Sequence, residues 1–482
     1  MILIVVDDPK DWRLRIRGVN VVAARDYLTG PRFSEMRLVK VFNLCRSYAY
    51  QSLGYYVSLL AQARGHKPLP AISTIQDLKL SAMMRLATQE LEETINGTLS
   101  KLRSDKFVLS IYFGRNMAQR YERLALGLFN QFPAPLLRAE FRREKEGWEL
   151  KNLRPIEADE IPAAHVSFVI QAAEQYFAKP SRRARRAPAR YDLAILLSPD
   201  EPTPPSNEKA IRKFKRAAES MGIDVERIGK DDYGRIAEFD ALFVRDTTRV
   251  NHHTFRFARR AAAEGLAVVD DPESIIKCAN KVYLAEMLRH HHIPAPETLI
   301  IDRTNCRQAP DVLGLPLVLK QPDSSFSLGV KKVSTLKELE ENLDALFKES
   351  ALLIAQQYVP TGFDWRVGIL DRQPLFVCRY FMAQGHWQIY DHAKGAEGFG
   401  EFDTWPVDAA PAEVVKTAIK AANLIGDGLY GVDVKELNGR AMVIEINDNP
   451  NIDAGVEDKI LGDELYLRVM RSFLRRLESR GR

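Results

Sequence analysis

Residues 430–451 read YGVDVKELNGRAMVIEINDNPN. Two runs rich in Val and Ile flank Asn438-Gly439, which predicts an antiparallel hairpin. Yet the runs carry Asp433, Glu445 and Asn447 and stop at Asn449-Pro450. Carboxylates among apolar strand residues need a partner, often a metal. Parity says where they point. Glu445 and Asn447 are two apart on a strand and share a face. If Val432 and Val434 share the core face with Ile444 and Ile446, then 434 pairs with 444 and 433 with 445. Asn438-Gly439-Arg440 is then an odd-length turn, because a two-residue Asn-Gly turn would set Asp433 against Ile444, on the wrong face. Asp433, Glu445 and Asn447 therefore gather on the other face. Three oxygen ligands with room for water suit Mg²⁺ bridging nucleotide phosphates. A solvent-facing edge hairpin with ordinary polar residues is the competing reading.

The segment LPLVLKQPDSSFSLGVKKV, 315–333, supplies a complement. Lys320 ends a buried strand, where an unpaired ammonium is costly. Ser324, Ser325, Ser327 and Gly329 then form a short loop whose amides and hydroxyls could cover phosphates. No Gly-x-x-x-x-Gly-Lys-Ser/Thr motif occurs, so this is not a Walker loop. Lys281 opens a helix in the stretch 274–301. His290, His291 and His292 are better explained as favourable cations near that helix's C-terminus than as metal ligands. In QQYVPTGFDWRVGIL, 356–370, an apolar strand leads to Asp364 and Arg366. A strand edge there could offer backbone groups to an adenine while Asp364 reaches a ribose hydroxyl; a surface ion pair is the plainer alternative.

A chain of 482 residues allows two to four domains. Hydrophobic content of 46% and charged content of 28% are those of a soluble globular protein. No apolar run approaches the about 20 residues that span a bilayer, and MILIVVDDPKDW reads as a first strand rather than a leader, so no membrane partner and a cytoplasmic location are expected. Cys45, Cys278, Cys306 and Cys378 form no Cys-x-x-Cys, against a zinc site or a disulfide framework. A net charge of +5 implies no global nucleic-acid footprint. The exception is local. AKPSRRARRAPAR, 178–190, with five arginines and no acid, reads as a solvated tether or as a contact with ribosome or RNA through 181–190.

That tether separates an N-terminal α/β third from the remainder. The expected division is an N-terminal domain over 1–178, a basic linker over 179–190, an α/β domain over 191–275 and a final domain over 276–482. In the first third, ILIVV is a strand, 49–65 a helix with a Gly stop, 106–114 a strand, 116–131 a helix and 135–156 a hairpin. Arg25, Asp26, Tyr27 and Arg32 could form a pocket there, although a structural role is expected. After the linker, strands and helices alternate through AVVDDP, which predicts a small parallel sheet. Strands around Lys320, a helix over 335–348, three further strands, a helix over 411–426, the hairpin and a closing helix complete the chain.

The order of these pieces resembles the ATP-grasp superfamily, and within it the RimK-like and glutathione-synthetase branch of carboxylate–amine ligases, over about residues 190–475. The carriers are ALFVRDTT through DDPESIIKCANKVYLAEML, the lysine strand with its loop, AQQYV with FDWRVGIL, and GVDV with VIEINDNPN. The basic linker and first third look like those of RimK-like proteins with a dedicated N-terminal domain. The resemblance implies an α/β ATP-grasp fold: a pre-ATP-grasp domain and a two-subdomain ATP-grasp body behind an extra N-terminal α/β domain. It implies ATP and Mg²⁺, for which Mn²⁺ could stand in. Lys281, Lys320 and Ser325 would contact nucleotide phosphates, Gln357, Tyr358 and Val359 the adenine, and Asp364 the ribose. Asp433, Glu445 and Asn447 would hold the metal. Arg379 would sit near the γ-phosphate and acyl phosphate, and Arg245 would face the acceptor. The chain departs from the family in Gln357, where Glu is common, in a single glycine in the phosphate loop, in Asn449-Pro450-Asn451, and in residues 385–402, which do not match the RimK basic motif.

The activity so implied is an ADP-forming ligase. ATP would convert a carboxylate to an acyl phosphate, and an amine would displace the phosphate to give an amide or peptide bond. The partners would be an amino acid such as glutamate and a peptide, protein tail or small amine. A homo-oligomer is compatible, dimers and tetramers being frequent in related ligases. Two rival readings are an ATP-regulated protein that docks on ribosome or RNA without turnover, and a kinase of a small molecule.

Overall fold

The computed structural model describes residues 1–37, 39–145, 147–178, 189–323, 329–389 and 400–480. Ser325, most of the arginine tether and residues 390–399 of the 385–402 segment lie outside them. Two compact units emerge: Met1–Asp192 with Asp231–Asp240, and Leu193–Lys230 with Ala241–Arg482.

The first unit contains a parallel sheet of β1 (Ile2–Val6), β2 (Asn20–Ala23), β3 (Lys40–Asn43) and β4 (Lys67–Leu69), in the order β2-β1-β3-β4. Beside it lies an antiparallel sheet of β5 (Lys106–Tyr112), β6 (Leu136–Glu144) and β7 (Gly147–Pro155). The hairpin expected over 135–156 is the β6–β7 pair. Tyr27 has the structural place expected of that cluster: it is fully buried, and its hydroxyl and the His66 ring are 2.8 Å apart.

The second unit opens with β8 (Tyr191–Leu196), β9 (Ile223–Ile228), β10 (Ala241–Val244) and β11 (Ala267–Val269), in the order β9-β8-β10-β11. This repeats the strand order of the first sheet. The likeness extends to the helices between third and fourth strands, Leu53–Ala63 and His253–Ala263. The first buries Gly54, Val57, Ser58 and Ala61; the second buries Thr254, Phe257, Ala258 and Ala261. Each leaves through a glycine of positive φ, Gly65 or Gly265, where an L side chain would be strained. Few identical residues mark the repeat; burial and turn geometry carry it.

Two antiparallel sheets complete the unit. One is β12 (Thr298–Ile301), β13 (Leu317–Lys320), β14 (Val330–Val333) and β15 (Leu353–Gln357), ordered β12-β15-β13-β14. The other is β16 (Phe363–Leu370), β17 (Gln373–Phe381), β18 (Phe402–Trp405), β19 (Leu429–Leu437) and β20 (Arg440–Asn447), ordered β18-β17-β16-β19-β20. The second sheet packs one face on helix Ala412–Ile425, through Trp365, Val367, Val432, Val434, Val443 and Ile446. Its other face is free to build a site. No helix among the described residues is long and apolar enough to cross a membrane.

Candidate functional site

The hairpin settles the opening question by a route that parity alone did not give. Leu437 pairs with Arg440, so the turn is the two-residue Asn438-Gly439, with φ of 53° and 74°. This corrects the odd-length turn. A β-bulge between Asp433 and Val434 then takes up one residue of β20, so Val434 faces Val443 while Asp433 faces Glu445. Ile444 is the extra residue. It leaves the core position expected for it, which Val443 fills, and joins the wall of a cavity.

That cavity has a volume of about 500 Å³ and lies wholly in the second unit. One wall is the β12–β15 sheet with Lys320 and Gln356 to Val359; the other is the β16–β20 sheet with Asp364, Asp433, Glu445 and Asn447. Lys281 enters from the first turn of helix Lys281–His290, which starts there because the Asn280 side chain accepts from the amides of Val282 and Tyr283. Ten of the twelve proposed site residues therefore line one space, or, for Ser325, fall outside the described residues; Arg245 and Arg379 do not line it.

Charged side chains are paired along the walls of the cavity. Lys281 Nζ lies 3.0 Å from Glu445 Oε1, and Arg366 Nε 2.6 Å from Asp433 Oδ1, with Nη2 donating to Oδ2 at 2.7 Å. Lys435 Nζ donates to Asp364 Oδ1 at 2.5 Å, and Lys320 Nζ to Gln356 Oε1 at 2.7 Å. Asp364 and Arg366 are thus each bonded to a residue of the neighbouring strand. Burial would raise the Glu445 carboxyl, but Lys281 and Lys320 outweigh it and hold it below the ordinary value. Asp433 is raised, since burial and nearby Glu445 and Asp364 outweigh Arg366. Desolvation, helped by Lys281 and Lys435, pulls Lys320 down to about 8.

Two carboxylates and an amide oxygen on one wall are hard oxygen donors, the set Mg²⁺ takes while keeping water and phosphate ligands. The Asn447 amide lies 3.4 Å from Asp433 Oδ2. Among the described residues no group of three or more His, Cys, Asp or Glu could hold a metal unaided. The donors fit a cation shared with a ligand, and Arg366 and Lys281 now neutralise them.

Two expectations need correction. Arg379 pairs in register with Trp365, so it points to the face opposite Arg366. There it bonds Asp403 and sits 4.5 Å from the Trp405 ring centroid, away from any phosphate in the cavity. Arg245 is fully buried and spends its guanidinium on protein. It donates to Ser206 Oγ, to Asn449 Oδ1 at 2.6 Å, and to the carbonyls of Pro205 and Pro450. Burial lowers it to about 10, so it stays charged at neutral pH as the hub joining the end of β10 to the chain after β20. It does not face an acceptor.

Sequence reasoning passed over several cavity residues. Lys435 was legible by parity, being two along its strand from Asp433, as is Arg366 from Asp364, beside which it was named but given no role of its own. Gln356, which bonds both Lys320 and Thr298 Oγ1, had no such signal, since its neighbour Gln357 offers the same side chain. Arg249 and Asp448 enter the wall only through tertiary folding. Asp448 is 5% exposed with Oδ2 unpartnered, and burial raises it to about 7.

Two sheets clasping a cavity lined by lysines on one wall and a carboxylate hairpin on the other define an ATP-grasp carboxylate–amine ligase. Residues 24–172 match the family model of the RimK-like ATPgrasp N-terminal domain, and residues 288–454 that of the D-ala D-ala ligase C-terminus. The chain thus carries a RimK-like ATP-grasp N-terminal domain ahead of a region that matches the D-ala D-ala ligase C-terminus. It is 27% identical over 194 residues to the alpha-aminoadipate–LysW ligase LysX of Saccharolobus solfataricus, covering 39% of this chain and 67% of that one. It is 25% identical over 228 residues to a probable alpha-L-glutamate ligase of Shewanella denitrificans, 46% of this chain and 74% of that one. A D-alanine–D-alanine ligase from Bacillus anthracis complexed with ATP superposes with a TM-score of 0.48 at 16% identity, over 61% of this chain and 100% of that one, a likeness too distant to argue from.

Proposed function

We propose that the protein uses Mg-ATP to join an amino acid, such as glutamate, to a peptide, protein tail or small molecule through an acyl phosphate, and that it does so in the cytoplasm. The supporting observation is the facing of Lys281 and Lys320 onto Asp433, Glu445 and Asn447 across one cavity. Lys281 and Lys320 then neutralise the nucleotide phosphates, leaving Glu445 and Gln356 for a more highly charged partner. Backbone groups of Gln357 to Val359 hold the adenine, Ile444 packs on it, and Asp364 bonds the ribose, sharing that duty with Lys435. Asp433, Glu445 and Asn447 hold the cation, which supplies charge neutralisation on the transferred phosphoryl group. Arg366, in place of Arg379, is the guanidinium beside the reacting phosphates.

The substrate carboxylate attacks the γ-phosphorus and ADP leaves. The amine nitrogen then attacks the acyl carbon; the C–N bond forms, the C–O bond to phosphate breaks, and the departing phosphate takes the proton. The chain's part is to align reactants and to offset charge, with no covalent enzyme intermediate. We assign residues 1–178 to the N-terminal domain, 179–190 to a basic linker, 191–275 to the pre-ATP-grasp domain and 276–482 to the ATP-grasp body.

The test is ADP release with Mg-ATP across pooled amino acids, carboxylates and peptides. Asp433→Asn and Glu445→Gln should each lower it by about a hundredfold or more while leaving the fold intact. Undiminished ADP formation in both variants sinks the proposal.

A further inference from the structure

Tyr380 follows Arg379 on β17 and therefore faces the other way. In the β16–β17 register it stands opposite Asp364, with Cys378 opposite Arg366, so Tyr380 shares the face of the cavity-lining Asp364 and Arg366. The Arg366 guanidinium carbon sits over the Tyr380 ring, 5.2 Å from its centroid. Arg366 is thus held twice, by this ring and by two bonds to Asp433 at 2.6 and 2.7 Å. Tyr380 lies behind Arg366 rather than in the cavity wall.

The ring has its own anchor. Glu457 is 1% exposed and forms no ion pair among the described residues. It accepts from the Tyr380 hydroxyl and, through Oε2, from the Asp453 amide at 2.6 Å. Burial raises it to about 7, while the Tyr380 hydroxyl and backbone amides act against that rise. The segment that carries it is fixed in turn by Thr404 of β18, whose Oγ1 donates to the Val456 carbonyl at 2.7 Å. A carboxylate buried without a paired cation is costly, and apolar groups would fill the same space at less expense. What the carboxylate adds is direction. It fixes the Tyr380 hydroxyl, and with it the plane of the ring.

That direction matters once Asp433 turns its oxygens to a cation, because Arg366 then loses both bonds to it. The ring is the contact that remains. Stacking on an aromatic face fixes a planar guanidinium while leaving its edge free to donate to phosphate oxygens. We propose that Tyr380 is a positioning residue for Arg366, its ring anchored by Glu457, so that the guanidinium keeps its orientation in the cavity when Asp433 is engaged elsewhere. The inference rests on the ligase reading and adds to it two residues that touch neither nucleotide nor substrate.

The experiment is a double-mutant cycle in ADP release by the full-length protein, with Mg-ATP and a fixed pool of amino acids, carboxylates and peptides. The folded fraction of each variant is taken from calorimetry. Tyr380→Leu should lower kcat about tenfold, with the KM for ATP within about twofold. In an Arg366→Lys background, where the planar guanidinium is gone, the same substitution should cost less than about twofold. Tyr380→Phe keeps the ring but frees it from Glu457, so its kcat should fall between those of Tyr380→Leu and the wild type, and its loss should likewise vanish in Arg366→Lys. A merely structural role for Tyr380 would cost the same in both backgrounds. Equal losses in the two backgrounds, a Tyr380→Leu variant within about twofold of the wild type, or Tyr380→Phe as active as the wild type would each overturn the positioning role and leave the ligase reading standing. If the wild type shows no release that depends on Asp433 and Glu445, the ligase reading falls and the positioning role with it.

Discussion

Lys320 shows how the site's charges are poised before any ligand arrives. Held at about 8 by desolvation and by Lys281 and Lys435, it loses its proton as pH rises through that value. Phosphate binding favours the protonated form. Nucleotide Kd should therefore be flat up to about pH 7 and rise above pH 8 by up to about tenfold per unit, and Lys320→Arg should remove the slope. A calorimetric Kd constant from pH 6.5 to 9.5 would remove Lys320 from the phosphate site. For stability the sign is the reverse. The folded state holds this proton less tightly than the unfolded chain, so Lys320 costs stability below about pH 8, and the cost fades towards the ordinary lysine value near 10.4. Arg245 illustrates the opposite fate of a cation: fully buried, with every guanidinium nitrogen bonded to a protein group, it organises the corner.

At the scale of the element, the β19–β20 hairpin combines a tight turn with a bulge that compensates for it. Asn438-Gly439 supplies two residues of positive φ, as a two-residue turn requires, and the bulge then restores the pairing of Asp433 with Glu445. The register was legible because burying Val432 and Ile446 admits only one parity. The compensation was not, since a longer turn and a bulge satisfy the same parity. A Cβ at Gly439 would meet nothing within 4 Å, so its substitution tests the backbone alone. Gly439→Ala should cost about 1 kcal/mol in denaturant unfolding, with ADP release per folded molecule unchanged. A neutral effect would show that the turn does not need the left-handed residue.

For the whole molecule, the first unit is not a contiguous stretch. Residues Asp231–Asp240 belong to it, through Glu238, which is buried and accepts from Lys40 and from the Tyr176 hydroxyl, and through Asp240, 3.0 Å from Lys67 Nζ. Burial would raise Glu238, but Lys40 and Arg235 hold it below the ordinary carboxylate value, so it is ionised at neutral pH. Replacing it leaves the Lys40 ammonium without its buried partner. Glu238→Gln should therefore destabilise the first unit by about 3 kcal/mol, read as an earlier unfolding transition by calorimetry. An unshifted transition would mean that the 231–240 segment contributes nothing to that unit's stability.

Local chemistry along the chain was enough to determine much of this protein. Alternating Val and Ile fixed which face of the hairpin is polar, Lys281 could be placed at the start of its helix, and the ordered motifs carried the resemblance to the ATP-grasp superfamily. These are short-range properties, carried by side-chain period and backbone preference. What only tertiary structure decided was the spending of charge. Arg245, Arg366 and Arg379 are each an arginine on or beside a strand, alike in sequence. Folding buries the first against two carbonyls, turns the second onto Asp433, and leaves the third boxed by aromatic rings on the far face.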